Sequence, residues 1–213
     1  MISTNCLLKK YPKISWKDKL HIFFRVKTVP WEAILKNFPR GDSIIDIGCG
    51  HGVLINLLAM CDCGYKKMIG VDLSAEKINV AKTTSSNRNS FYLTDIFDLK
   101  ESADVYSIFD VLYLLPHNLQ EKLLKYIYDI LPEDGYLILK EIGKKPKWKF
   151  LINIIQESIS VKLLHLTLGG KFYFKSESDF NDILKNIGFK VTVEHIDRGY
   201  LHPHILYICQ KMN

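Results

Sequence analysis

One short run combines the residue types and spacing for ligand chemistry: Asp46-Ile47-Gly48-Cys49-Gly50-His51-Gly52. Glycines permit a tight turn and let a ligand touch the backbone. An apolar run precedes it and a helical pattern follows. The run therefore sits where a strand turns into a helix, whose first N–H groups suit an anion. Asp72 closes the next apolar run, about twenty residues on, where an acid can accept hydrogen bonds from both hydroxyls of a ribose. Together these residues point to a ligand that contains a nucleoside. A dinucleotide fingerprint spaces its glycines G-x-G-x-x-G. Here Gly48, Gly50 and Gly52 are spaced two by two, with an acid two residues before the first. That pattern suits a ligand carrying a carboxylate rather than a pyrophosphate.

The elements that must position these residues alternate along the chain. Residues 1–40 are a helical preamble: Trp16, Leu20, Phe23 and Phe24 recur at helical spacing, and Pro30 opens a second short helix through Trp31, Ile34, Leu35 and Phe38. Apolar runs at 43–49, 66–73, 91–93, 103–109 and 136–142 read as five strands. Between them lie helical patterns, the clearest through Leu119, Leu123, Leu124, Ile127, Tyr128 and Leu131. Ser74 is a helix N-cap candidate. Ser176-Glu177-Ser178-Asp179 resembles a capping box and starts a helix through Phe180, Ile183, Leu184 and Ile187. Residues 189–196 and 205–209 read as the last two strands. With no helix between them, that pair should be antiparallel. Strand–helix alternation otherwise argues a parallel sheet with helices on both faces.

Composition bounds the rest. The chain has 213 residues, 47% hydrophobic and 24% charged, which excludes a disordered chain and suits one domain over 1–213. Its formal net charge of +6 permits an anionic partner without requiring one. The five cysteines, at 6, 49, 61, 63 and 209, lack CxxC spacing, so the expectation is reduced thiols in a cytoplasmic protein. The N-terminus lacks the basic start and apolar run of a cleavable signal, and no run is long enough for a spanning helix.

The motifs resemble those of the class I S-adenosylmethionine (SAM)-dependent methyltransferases. Residues 44–52 resemble motif I of that family. Val71-Asp72-Leu73-Ser74 resembles its ribose motif, and Thr94-Asp95-Ile96 the acid that holds the adenine amino group. Residues 103–113 resemble strand four and the turn after it, and Leu131-Pro132-Glu133-Asp134-Gly135 the turn into strand five. The resemblance implies a Rossmann-like α/β sheet of seven strands with an antiparallel last strand, plus N-terminal helices and a helical lid after strand five, at 143–175. It implies SAM as cofactor. Asp46, Gly48, Cys49 and Gly50 would lie along its methionine moiety, Asp72 at the ribose and Leu73 on the adenine. Asp95 and Ile96 would meet the adenine edge, and Asp110 would begin the loop beside the sulfonium. Tyr113 stands where relatives often have a histidine.

The acceptor has fewer cues. The Asn/Asp-Pro-Pro-aromatic motif of amino-directed nucleic-acid enzymes is missing at Asp110-Val111-Leu112-Tyr113, and no cysteine follows a proline as in the cytosine-ring class. These departures argue against nucleic acid and for a small molecule, and the leading expectation is O-methylation of a hydrophobic one. The alternatives are an RNA or protein methyltransferase, and an inactive SAM-binding partner subunit. The apolar stretch at 150–168 reads either as a core helix or as a lid over a hydrophobic substrate. Lys144, Lys145, Lys147 and Lys149 around Trp148 read as a solvated run or as a dock for a carrier protein or an anionic membrane surface. Glu141-Ile142-Gly143, Trp148, Gly169-Gly170 and the stretch 198–204 also resemble methyltransferases that accompany fatty-acid-like or aryl polyene pathways. A hydroxyl acceptor needs a base, and Glu141, His117, His202 and His204 are the candidates. His51 reads as packing in the glycine loop and His165 as part of the lid. No residue set compels a metal. Oligomeric state has no signal.

Overall fold

A computed structural model describes residues 4–149, 151 and 172–212. Three helices lead: α1 (Thr4–Lys9), α2 (Trp16–Thr28) and α3 (Trp31–Lys36). The alternating part follows as β1 (Ser43–Ile47), α4 (Val53–Met60), β2 (Lys67–Asp72), α5 (Ala75–Lys82), β3 (Asn89–Leu93), β4 (Val105–Phe109), α6 (His117–Ile130) and β5 (Tyr136–Ile142). The chain ends with α7 (Glu177–Ile187), β6 (Phe189–His195) and β7 (His204–Lys211). Of the lid expected at 143–175, nearly all of the apolar stretch, and His165, lie outside the described residues.

The seven strands form one sheet in the order β3-β2-β1-β4-β5-β7-β6. β1 to β5 pair in parallel, while β7 inserts between β5 and β6 and pairs antiparallel with both. The reversal has a local cause. Each parallel pair needs a crossover long enough to hold a helix, and the short link from β6 to β7 has none. The order changes direction at β1 and β4. That opens a crevice at the carboxyl edge, above the glycine run.

Strand alternation divides the core. Ile44, Val105, Ile138 and Leu206 face α4 and the N-terminal helices, with Val53, Leu57, Ile22 and Ile34 packed on them. Ile45, Tyr106, Leu139 and Tyr207 face the other way, against Leu124 and Ile127 of α6 and Leu184 of α7. Each fully buried Leu or Ile contributes about 1.5–3 kcal/mol of transfer free energy. The serine caps form as their spacing predicts: Ser74 accepts from the Lys77 N–H, and Ser176 from the Asp179 N–H.

The preamble departs from its pattern. On α2 the buried residues are Ile22 and Val26, whereas Trp16 is 70% and Phe24 54% exposed. The helix lies across the crevice, so this apolar side borders a cavity instead of a core. Tyr11, after α1, ties the preamble down. Its hydroxyl donates to the His51 carbonyl (2.9 Å) and accepts from Asn56 Nδ2 (3.1 Å). Tyr11→Phe should therefore cost about 1–2 kcal/mol in urea unfolding. A loss below about 0.3 kcal/mol would show that these buried bonds do not hold the preamble to the glycine loop.

Candidate active site

The crevice is a cavity of about 1220 Å³, larger than the usual single-ligand pocket. Its floor is the carboxyl ends of β1, β2, β4 and β5 with the amino end of β7, and α2 forms one wall. All nine residues assigned above to the cofactor line it: Asp46, Gly48, Cys49, Gly50, Asp72, Leu73, Asp95, Ile96 and Asp110.

The glycine loop is held from within. The N–H groups of Gly48 and Cys49 both donate to the Val71 carbonyl, at 2.8 and 3.0 Å, and that of Gly52 to the Cys49 carbonyl. The Gly50 N–H donates to Asp72 Oδ2 (2.8 Å). The loop N–H groups expected to meet an anion are thus largely committed to the protein itself. Gly48 has φ +69°, and a Cβ there would lie 2.3 Å from a methyl of Val111. At Gly52, with φ +74°, a Cβ would meet the Phe91 ring at 2.5 Å. Both positions require glycine for conformation and for space.

Asp72 also accepts from the Ser74 N–H (2.8 Å), so each of its oxygens organises the turn and keeps a further lone pair. Asp95 caps a short turn by accepting from the Phe97 N–H. Asp46 is 3% exposed and accepts from the Ser107 hydroxyl at 2.7 Å. Burial pushes its carboxyl up to about 7, against the weaker opposing pull of Ser107 and Arg25.

At the β4–β5 side Asp110, expected from the sequence, meets two partners that sequence reading missed, Arg25 and Lys140. Asp110, with φ +60°, receives Arg25 Nη1 at 2.7 Å and Lys140 Nζ at 2.5 Å. Burial by itself would raise the Asp110 carboxyl, but Lys140 and Arg25 outweigh it and bring it to about 2. Burial lowers Lys140, which is 1% exposed. Strand parity could have found Lys140. It alternates with the buried Ile138 and Ile142 on the face that carries Asp46 and Ser107. Arg25 had no such signal, being one basic residue among several on a surface helix.

The same parity removes Glu141 from this cavity. It faces a separate cavity of about 20 Å³ lined by Tyr113, Gln120, Tyr173 and Phe180, where burial pushes its carboxyl well up. His117 is exposed at the start of α6 and does not line the large cavity either. His202 and His204 do line it. His204 Nε2 lies 2.8 Å from the Thr28 carbonyl, so that nitrogen carries the proton. Both Nδ1 atoms are buried without a partner among the described residues. Burial, then Lys140, lowers both rings, His204 to about 2, which leaves His204 neutral.

His51 is buried beneath α2, with Nε2 3.2 Å from Asp18 Oδ1 and its ring 4.9 Å from that of His21. Tyr113 is buried and stacks on Phe174 at 4.8 Å. In the basic stretch, Lys149 pairs with Asp197 at 2.6 Å, and Trp148 is exposed. Among the described residues no helix is long and apolar enough to cross a membrane.

A seven-stranded sheet of this order, with a glycine loop after β1 and an acid closing β2, defines the class I SAM-dependent methyltransferase fold. The sequence matches the family described as methyltransferase domain over residues 25–194. Juvenile hormone acid O-methyltransferase of Bombyx mori is 30% identical over 114 residues, covering 50% of this chain and 40% of that protein. An uncharacterised methyltransferase of Schizosaccharomyces pombe is 26% identical over 185 residues, covering 78% and 66%. The chain thus spans less than two thirds of either relative. The crystal structure of human N-acetylserotonin methyltransferase in complex with SAM superposes with a TM-score of 0.70 at 18% identity, covering 99% of this chain and 57% of that one. This chain belongs to the methyltransferase-domain family, as a class I SAM-dependent member.

Proposed function

We propose that this chain transfers a methyl group from SAM to an oxygen of a small, hydrophobic acceptor. The observation that carries the reading is the single cavity with two unlike halves. One half holds Asp46, Gly48, Asp72 and Asp95; the other is walled by Phe24, Trp31, Phe109 and Ile142 with a few polar groups. An apolar pocket with few polar groups is the usual form of a small-ligand site. The Bombyx mori relative, an O-methyltransferase by name, supports oxygen as the acceptor atom.

Asp46 supports the donor assignment. It is a buried acid whose one hydrogen-bond partner among the described residues is a hydroxyl, so an ammonium group would complete its surroundings. When bound, SAM supplies an electrophilic methyl on a sulfonium. Asp46 would take its amino group, with Gly48, Cys49 and Gly50 alongside. Asp72 would hold the ribose, Leu73 would pack on the adenine, and Asp95 and Ile96 would meet its edge. Asp110 would stand beside the sulfonium. Of the four candidate bases, only His202 and His204 line the cavity.

The raised Asp46 pKa gives a test of the donor half. The fold favours its protonated form, and a donor ammonium favours the ionised form. SAM affinity should therefore rise from pH 6 to about 8 with uptake of SAM releasing protons, and then level off. His204, held at about 2, stays neutral across this window and adds no slope. Calorimetry should find that slope in the wild type and lose it in Asp46→Asn. A slope unchanged in the variant would place the titrating group elsewhere.

The acceptor class is tested by S-adenosylhomocysteine formation with panels of small hydrophobic phenols and acids, acyl thioesters, bulk RNA and protein. Turnover is expected with small molecules. Turnover confined to RNA or protein would overturn the reading.

A further inference from the structure

We propose that α2 docks the chain on an anionic lipid surface, with Trp16, Leu20, Phe23 and Phe24 set into the headgroup layer and the surrounding lysines on lipid phosphates and carboxylates. The proposal stands apart from the acceptor assignment and is tested without turnover.

The first observation is an apolar helix face that the described residues leave in water. Ile22 and Val26 anchor α2 to the core. On the opposite side, Trp16, Leu20, Phe23 and Lys27 follow at i, i+4, i+7 and i+11, with Phe24 beside them. Leu20 is 46% and Phe23 38% exposed, in addition to Trp16 and Phe24. Trp16, Leu20 and Phe24 border the cavity, but Phe23 does not line it. The face therefore runs past the cavity, and a small ligand inside would not cover all of it.

The second observation is charge. Residues 1–40 hold nine of the 29 Lys and Arg residues and two of the 23 acids, a net +7, while the rest of the chain stands at −1. Lys17 and Lys19 flank the apolar face of α2, Lys27 lies within it, and Lys9, Lys10 and Lys13 precede it. All six are exposed, and none forms an ion pair among the described residues. Of the two acids, Asp18 reaches inward to His51 and Glu32 lies on α3.

An apolar face bordered by lysines is the form of a helix that lies in a lipid interface. Tryptophan sits at headgroup level, and lysine stems lie along apolar surface while their ammonium groups reach the anions. A polyanion such as RNA would engage the lysines but leave the four large apolar side chains in water. The position of the helix gives the docking a use. Because α2 is one wall of the cavity, docking through this side holds the cavity rim at the lipid, and an apolar acceptor dissolved there enters without crossing water.

The test is flotation of the full chain with phosphatidylcholine vesicles, with and without about 30% phosphatidylserine. At about 0.1 M salt the anionic vesicles should bind at least tenfold tighter, and about 0.5 M salt should abolish the preference. The charge reversal Lys13→Glu/Lys19→Glu/Lys27→Glu should weaken binding roughly fiftyfold or more, since each lysine near an anionic surface contributes about fivefold. Phe23→Ser should weaken it about tenfold. None of these four residues lines the cavity, so S-adenosylhomocysteine affinity should hold in every variant and report that each is folded. Lys144→Glu/Lys147→Glu, in the other basic stretch, should leave vesicle binding within threefold. The proposal is overturned if anionic vesicles are not preferred, or if the α2 variants bind them as the wild type does. It is also overturned if the lysines matter and Phe23 does not, or if bulk RNA is retained and vesicles are not.

Discussion

Asp110→Asn is expected to destabilise the protein by about 3–5 kcal/mol at neutral pH, the usual cost of breaking a buried ion pair by removing one partner. The variant keeps the shape of the side chain and removes its charge. Arg25 can turn toward water, but Lys140 is 1% exposed and cannot. Folding would then require the lysine to give up its proton or stay charged without a partner. The double variant Asp110→Asn/Lys140→Met should recover much of the loss, because it removes the stranded charge as well. Urea unfolding of the three proteins decides the matter; a single variant within 1 kcal/mol of wild type would mean that the cluster is hydrated enough to stand alone. Acid gives a second view. The fold holds the Asp110 carboxyl below the ordinary range, so its stabilisation is full above that range and is lost as pH falls toward about 2.

The second large effect is expected at Asp72. Its carboxylate accepts from the N–H groups of Gly50 and Ser74, and we assign its remaining lone pairs to the ribose of the methyl donor. Asp72→Ala should lower SAM affinity about a hundredfold or more, near 3 kcal/mol, because it removes charge-assisted bonds and loosens the loop. Asp72→Asn should fall between the two, since its amide oxygen can serve one N–H and its amine none. Calorimetry on folded variants is the check. Unchanged affinity in Asp72→Ala would falsify the ribose assignment and leave Asp72 as a loop organiser alone.

How these residues meet was partly legible beforehand. The spacing of Gly48, Gly50 and Gly52 after an apolar run, and Asp72 at the end of the next, implied a crevice at a carboxyl edge before any contact was known. Such signals are local. A glycine turn, a serine cap or an alternating strand depends on residues within a few positions of one another, so periodicity and residue type suffice to read them. The absence of a helix between β6 and β7 likewise implied an antiparallel pair, because chain length alone forbids a crossover.

Arg25, Asp110, Lys140 and His204 come from four separate elements, and no local pattern joins them. Their meeting depends on which strand neighbours which, and on α2 lying across the sheet edge. Glu141 shows the same limit. Adjacent to Lys140 in the chain, it faces the opposite side of the sheet, because successive side chains on a strand point to opposite faces. Only the register of β5 against β4 and β7 decides which of the two meets the cavity. Local spacing therefore determined the glycine-loop half of this site. The tertiary structure alone decided the charged wall, because a buried ion cluster is set by burial and by neighbours brought from distant parts of the chain.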